Sequence, residues 1–324
     1  MRYIMGKIKN RLRYEVVSRI RSTPMYPYLY SSMWHKLFSN KKTKKETVPR
    51  YFVARPNPGA GIGHQMANWI AGYWFAKQFD LKFAHIAFST PKWESFLGFG
   101  EGEKQFNQLL KEGYKKVQLP LFSETNSEEL SRTRSIIDAY AGEKVVFLCE
   151  QDQYYKDQFG VRKDLQNKFF NSKSRKNEKL IFLSENYNIA IHVRRGDIVI
   201  GQKNKNPNLV MRWQNNAYFS NVLTNYLRTL RTEKTIAIYL FSQGEESDFE
   251  DFKHFPNLHF CLEMNAQDSF LHMVYADCLI TSKSSFSYKP ALLNRGTKVC
   301  PKDFWHGYPE SKDWILSDEE GNLI

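Results

Sequence analysis

The chain has 324 residues, of which 42% are hydrophobic and 15% aromatic, and this composition excludes an intrinsically disordered protein. Its net charge of +13 is unevenly distributed along the chain. Residues 1–50 contain 13 Lys and Arg but only two acidic residues, Glu15 and Glu46, and so carry +11. The rest of the chain therefore carries only +2. The body therefore lacks the overall basic character of a nucleic-acid-binding protein. We expect a cytoplasmic protein, since the sequence shows no signal peptide, C-x-x-C pair or long apolar run.

Residues 1–50 are predicted to form a basic amphipathic arm and a linker. Apolar side chains recur every four positions, at Ile4, Ile8, Leu12, Val16 and Ile20. This spacing indicates a helix with Lys and Arg on its flanks. Two interpretations stay open. In the first, residues 1–45 bind an anionic membrane, which would make the protein peripheral on the inner face of the cytoplasmic membrane. In the second, the helix packs on the body of the protein or on another subunit.

The next predicted elements form a β-α-β unit. Tyr51–Arg55 is a strand, residues 57–63 form a Gly/Pro loop, Gln65–Phe79 is an apolar helix, and Leu81–Phe88 is a second strand. The chain up to about residue 150 is less regular and ends in a strand over Lys144–Glu150, before a helix and a surface connection over residues 160–178. We predict a first domain over residues 51–178.

Strands and helices alternate in the second half, which predicts a parallel sheet wrapped by helices over residues 179–324. The predicted strands are Asn188–Val193, Thr235–Ser242, Leu258–Glu263, Asp277–Ser282 and Thr297–Pro301. The predicted helices are Asn215–Arg231, Glu246–Phe255, Gln267–Ala276 and Ser285–Asn294. Because such sheets bind ligands at the carboxyl ends of their strands, the loops after Val193, Leu240, Glu263 and Ile280 are predicted to line one crevice.

Two adjacent arginines, Arg194 and Arg195, end the first of these strands and precede Gly196 and Asp197. A guanidinium group matches phosphate bidentately. Because neighbouring residues of an extended chain point to opposite faces, one arginine is predicted to bind a ligand and the other to pair with Asp197 or another carboxylate. From these residues alone, a structural ion pair is the stronger interpretation.

Two further loops follow predicted strands. Thr281–Tyr288 brings hydroxyl groups to a helix N-terminus, which indicates either an anion site or plain N-capping. Gly59, Gly61 and Gly63 permit either the close approach of a sugar or diphosphate, or a tight turn. The G-x-G-x-G spacing is not that of a dinucleotide site, and no D-x-D or H-E-x-x-H pattern predicts a metal.

Three stretches together resemble the fucosyltransferase superfamily, which contains bacterial α1,2-fucosyltransferases and related α1,6- and protein O-fucosyltransferases. His192–Asp197 resembles the family's arginine motif, and Gly59–Met66 resembles its G-G-L-G-N-Q-M segment. Ala276–Asn294 resembles the third motif, a strand followed by N-S-T/S-F-S-W. Their order and spacing agree over about residues 51–300.

The resemblance implies an α/β fold of the GT-B type, with two Rossmann-like domains facing a central cleft. Residues 51–178 would form the acceptor-side domain and residues 179–324 the nucleotide-sugar-binding domain. The implied enzyme is an inverting, metal-independent glycosyltransferase without a cofactor, which moves L-fucose from GDP-fucose to a hydroxyl of a cell-surface glycan or glycolipid. Two alternatives stay open: transfer of another GDP-linked sugar or protein O-fucosylation, and a catalytically degenerate glycan-binding or scaffold protein.

The family's site residues are carried over by motif. Arg194 maps to the arginine that binds the β-phosphate, His192 lies near the nucleotide, and Arg195 supports Arg194. The positions expected to bind the nucleotide sugar are His192, Arg194, Arg195, Gly61, Gly63, Asp268, Ser284, Ser285 and Phe286. His64 and Asp197 join Arg194 as catalytic candidates, in the role of the base.

The sequence also departs from the family's motifs. His64 replaces an Asn, Ala67 an aromatic residue, and Tyr288 a Trp. Counting back from Asp277 to the position of an acidic residue that contacts guanine gives Ser269, one place from Asp268. These departures bear on which nucleotide and which sugar the protein binds, and on which residue acts as the catalytic base.

Overall fold

The computed structural model describes residues 23, 48–57, 59–150, 155, 157–199 and 207–324. Apart from Thr23 and residues 48–50, the predicted basic arm lies outside these ranges. The described chain divides into two compact units. The first contains the described residues up to Arg55 together with Ala71–Ile86 and Lys104–Tyr155. The second contains the described parts of Pro56–Ile70, Ala87–Glu103 and Lys156–Ile324.

The first unit contains a parallel five-stranded sheet with the strand order β3-β2-β1-β5-β4. Its strands are β1 (Tyr51–Arg55), β2 (Lys82–His85), β3 (Lys104–Gln105), β4 (Lys115–Gln118) and β5 (Val145–Glu150). The helices of the first half of the chain are α1 (Ile62–Gln78), α2 (Pro91–Leu97), α3 (Phe106–Lys111) and α4 (Ser127–Ala139). Strand β1 is central and almost fully buried, in register with β2 and β5 through the pairs Tyr51↔Lys82 and Tyr51↔Val146.

The second unit contains a parallel six-stranded sheet with the order β11-β10-β9-β6-β7-β8. Its strands are β6 (Tyr187–His192), β7 (Ile236–Phe241), β8 (Leu258–Cys261), β9 (Cys278–Ile280), β10 (Thr297–Pro301) and β11 (Trp314–Ser317). The helices of this half are α5 (Arg162–Phe170), α6 (Pro207–Val210), α7 (Asn216–Thr229), α8 (Ala266–Tyr275) and α9 (Ser285–Leu293). Short 3₁₀ segments cover Gln158–Val161, Lys173–Asn177 and Glu246–Phe252.

Strand β6 lies between β7 and β9, and its two faces have different side chains. Ile189, Ile191 and Val193 belong to one core cluster with the apolar side of α7, including Phe219 and Val222. The intervening residues, Ala190 and His192, are also buried but point to the opposite face, since side chains alternate along a strand. The sheet is therefore covered on both faces, as the apolar run of β6 predicts.

The predicted α/β class and the alternating second half are confirmed, since both sheets are parallel and carry helical connections. One predicted helix is wrong: Glu246–Phe252 is a 3₁₀ segment, because Phe249 leaves helical geometry at φ −125° and ψ 31°. The strands β3, β4 and β11 and the helices α2, α3, α4 and α6 were not predicted. No helix in the described ranges combines the length and apolarity needed to cross a bilayer.

Candidate functional site

A pocket of about 340 Å³ lies at the carboxyl ends of β6, β7, β8 and β9. It is lined by residues that follow each of these strands, including Arg194, Ser242, Met264 and Ser284, and by the glycine loop before α1. The predicted crevice is therefore confirmed. All lining residues belong to the second unit, so the contacts place the glycine loop with the six-stranded sheet, whereas the sequence-based boundary placed it with residues 51–178.

The first turns of three helices line this pocket. Ile62, Gly63 and His64 begin α1, Ala266 and Ser269 belong to the first turn of α8, and Ser285 and Phe286 begin α9. The first backbone N–H groups of a helix have no partner within the helix, and the helix dipole adds partial positive charge there. Three such termini around one pocket favour an anionic ligand.

The termini of α1 and α9 are in direct contact at Gly63. A Cβ atom at this position would lie 2.8 Å from the carbonyl carbon and from the Cβ of Ser285. Real side chains do not approach a backbone so closely, so residue 63 must lack a side chain for the two helices to meet. Gly61, by contrast, has no heavy atom within 4 Å of such a Cβ.

Gly63→Ala is therefore expected to separate α1 from α9, to weaken ligand binding at the pocket, and to cost about 1–3 kcal/mol of stability. Gly61→Ala is the matched control for stability, because a Cβ there meets no heavy atom of the protein, and it should unfold near the wild type. Urea unfolding and ligand titration of the two variants measure the effect. Equal behaviour of the two alanine variants would show that the contact at Gly63 is dispensable.

The glycine loop is held by side chains of the helix that follows it. Gln65 donates from Nε2 to the backbone oxygen of Ala60 at 2.8 Å and to Ser89 Oγ at 2.7 Å, and its Oε1 accepts from the backbone N–H of Ser89. Asn68 Oδ1 accepts from the backbone N–H of Asn57 at 2.9 Å. These bonds fix the approach of the loop to the pocket.

Arg194 lies at the pocket wall, and its guanidinium group binds one carboxylate. Nη2 and Nε donate to Asp197 at 2.8 and 3.3 Å. The side chain of Arg194 is 18% exposed and that of Asp197 is 60% exposed. Gly196 permits the turn between them at φ +52°. Because the pair is open to solvent, an incoming anion can reach Arg194 without removing a buried charge.

Arg195 has a different environment, and its expected pairing with Asp197 is wrong. Its guanidinium group is buried, donates from Nη1 to the backbone oxygens of Arg194 and Gln214 at 2.9 and 3.0 Å, and donates from Nη2 to Asn216 Oδ1. Its Cζ lies 4.2 Å from the centre of the Trp213 ring. The side chains of the two arginines diverge, so the carboxylate that follows the turn meets Arg194. Arg195 ties the β6 loop to the start of α7.

His192 is buried at the base of the pocket. Its Nδ1 lies 2.8 Å from Ser282 Oγ, and its ring centre lies 5.5 Å from that of Phe286. Burial, with the nearby charges of Arg194 and Arg195, lowers the pKa of His192 to about 3. The imidazole is therefore neutral at pH 7 and links the arginine motif to the serine loop.

The serine loop combines capping with pocket lining. Ser284 is the N-cap of α9, and its Oγ accepts from the backbone N–H of Phe286 at 3.2 Å. Ser285 Oγ lies 3.4 Å from His306 Nε2. The backbone N–H of Lys283 donates to Gln214 Oε1 at 2.8 Å, and the backbone oxygen of the same Gln214 accepts from Arg195. The N-capping interpretation of this loop is therefore confirmed, and the loop also lines the pocket in which the predicted anion site would lie.

Ten of the eleven predicted site residues line the pocket, namely Gly61, Gly63, His64, His192, Arg194, Arg195, Asp197, Ser284, Ser285 and Phe286. Asp268 does not; its carboxylate accepts from Asn265 Nδ2 at the N-cap of α8, and Ser269 lines the pocket instead. His64 is exposed and stacks on Trp305 with ring centres 5.9 Å apart.

The pocket residues that sequence reasoning missed include Arg212, Gln243 and Met264. Gln243 and Met264 follow the predicted strands of β7 and β8 and could have been found from their position. Arg212 belongs to no motif, and its only signal was a cation shortly after the arginine motif. Within the described ranges, no group of three or more His, Cys, Asp or Glu side chains could hold a metal ion.

No family model matches this chain. No curated protein matches its sequence either.

Several solved structures are distantly similar in fold. NodZ alpha-1,6-fucosyltransferase of Bradyrhizobium, co-crystallised with GDP, has a TM-score of 0.43 and 11% identity over 86% of this chain and 98% of its own. A mutant of Arabidopsis thaliana FUT1 in complex with GDP has a TM-score of 0.47 and 13% identity over 97% of this chain and 80% of its own. Heptosyltransferase WaaC of E. coli with ADP has a TM-score of 0.40 and 10% identity over 85% and 94%. At these values the likeness is distant, and the candidate function rests on the residues of the pocket.

Proposed function

We propose that the protein is an inverting glycosyltransferase that moves L-fucose from GDP-fucose to a hydroxyl of a cell-surface glycan or glycolipid. The observation that carries this proposal is the convergence of three motifs. The glycine loop, the arginine motif and the serine loop come from separate parts of the sequence, and all three line one pocket. The resemblance to fucosyltransferases rests on the same three stretches.

The chemistry of the pocket suits the departure of a nucleoside diphosphate. When the bond between the sugar and the β-phosphate breaks, negative charge develops on the leaving phosphate. Arg194 supplies donors for that oxygen, and the N-termini of α1, α8 and α9 add partial positive charge around the pocket. The proposal assigns to these groups the charge stabilisation that a divalent cation provides in other transferases, and it includes no cofactor.

Inverting transfer also needs a base for the acceptor hydroxyl. His64 and Asp197 line the pocket and remain the two candidates, whereas His192 is buried and bonded to Ser282. We further propose that the basic arm binds an anionic membrane surface, where a lipid-linked acceptor would lie.

Nucleotide binding tests the proposal directly. GDP is expected to raise the melting temperature of the purified protein more than UDP, ADP or CMP at equal concentration. A ligand at 100 times its Kd stabilises the folded state by about 2.7 kcal/mol. Calorimetry supplies the Kd, and the release of GDP from GDP-fucose in the presence of acceptor glycans tests the reaction.

The outcomes separate the alternatives. Release of GDP from a different GDP-sugar, or transfer to a protein acceptor, would replace the fucose donor or the glycan acceptor. Binding without release from any GDP-sugar would identify a catalytically degenerate binding protein. A failure of all four nucleotides to stabilise the protein would overturn the assignment.

A further inference from the structure

Arg212 lines the same pocket as Arg194 and was assigned no role by any motif. It follows α6, and its backbone N–H donates to the carbonyl oxygen of Leu209 at 3.1 Å. Its side chain is half-buried. Within the part of the chain that the structure describes, its guanidinium group has neither a hydrogen bond nor an ion pair.

The three pocket arginines thus differ in how their charges are compensated. Arg194 binds the carboxylate of Asp197, and Arg195 is bound to two backbone oxygens and Asn216. Arg212 has no such partner among the described residues. Burial lowers the pKa of Arg212, the charge of Arg194 lowers it further, and Asp197 opposes this. A half-buried cation beside another cation costs folding free energy, which an anion in the pocket would recover.

The charge balance of the pocket indicates which anion this is. The Asp and Arg side chains of the lining are three arginines and one aspartate, which sum to +2. A sugar nucleotide carries one negative charge on each of its two phosphates, so its diphosphate would neutralise this set. Arg194 alone would not neutralise the diphosphate, because its charge is already balanced by Asp197.

We propose that Arg212 is a binding residue for the donor diphosphate and acts beside Arg194. The inference rests on the proposed function, because it takes the ligand to be a nucleoside diphosphate. Arg212 presents an open planar fork to one phosphate, while Asp197 holds Arg194 in position for the other. The pocket therefore binds the diphosphate through two guanidinium groups from different loops.

The test compares Arg212→Gln, Arg212→Lys and the wild type by calorimetry with the nucleoside diphosphate that stabilises the wild type most. Arg212→Gln is expected to bind it about tenfold to a hundredfold more weakly, as a charge-assisted hydrogen bond predicts. Arg212→Lys should recover part of the loss. Arg228→Gln is the matched control, because Arg228 is exposed near the end of α7 and outside the pocket lining.

Melting temperatures without ligand test whether the role of Arg212 is merely structural. Arg212→Gln should melt at or above the wild-type temperature, because it removes a repulsion and breaks no described contact. Wild-type affinity in Arg212→Gln would overturn the inference. A lower melting temperature that accounts for weaker binding would also overturn it. Either result would leave the proposed function standing. A wild type that binds no nucleoside diphosphate would overturn the proposed function and this inference together.

Discussion

Arg194→Ala is expected to reduce the release of GDP from GDP-fucose by about 10²- to 10³-fold or more, since removal of one preorganised donor to a developing oxyanion costs this much. The fold should survive, because Arg194 contributes only a partly exposed ion pair with Asp197, worth less than about 1 kcal/mol. Initial rates at saturating donor measure the loss of activity, and the Kd of GDP from calorimetry measures the loss of affinity.

Lys253→Ala serves as the control for this variant. Lys253 and Glu250 form an exposed ion pair with the same three-residue spacing, outside the pocket lining. Its removal should change neither rate nor affinity. Unchanged activity in Arg194→Ala would show that the arginine motif does not carry the reaction.

Arg195→Ala is expected to act on stability, with a loss of about 2–4 kcal/mol of the free energy of unfolding. Removal of the guanidinium group leaves the backbone oxygens of Arg194 and Gln214 without their donor and exposes a gap beside Trp213. Arg195→Lys should recover only part of this loss, because an ammonium group cannot reproduce the planar fork. Urea denaturation of the whole protein, followed by tryptophan fluorescence, measures the change in the free energy of unfolding.

The neighbouring Arg194→Ala variant is the reference for this measurement, since it removes the same charge one residue away. We expect the two alanine variants to differ in kind, one losing function and the other stability. If Arg195→Ala unfolded like the wild type and lost only GDP binding, the roles of the two arginines would have to be exchanged.

Much of the second unit was predictable because its strands are buried on both faces and therefore appear as short apolar runs. Ile189–Val193 and Ile236–Phe241 are such runs, and the loops after them had to meet at one sheet edge. Strand β4 (Lys115–Gln118) escaped prediction, because it is an edge strand in which only Val117 is buried.

The site was predictable only as far as local motifs reach. The arginine pair and the serine loop follow β6 and β9, which are neighbouring strands of one sheet, so topology alone brings these two together. The glycine loop follows β1 of the other sheet, and its place at the pocket depends on the contact between Gly63 and Ser285, which no local pattern reports. The choice of Asp197 as the partner of Arg194 depends on the positive φ of Gly196 and on the three acceptors around Arg195. Arg212 reaches the pocket through the path of residues 207–213, and no periodicity in the sequence reports such a path.

Under the proposed function, the contact between Gly63 and Ser285 limits where the donor selectivity of the pocket could be altered. The N-termini of α1 and α9 leave no room for an added atom where they meet, so a larger side chain there would disturb the helices themselves. Met264 also lines the pocket, and its long, flexible side chain can move or be shortened. Under the proposed function, substitutions intended to change donor selectivity therefore belong at Met264, where the shape of the pocket can change without enlarging a side chain at the helix contact.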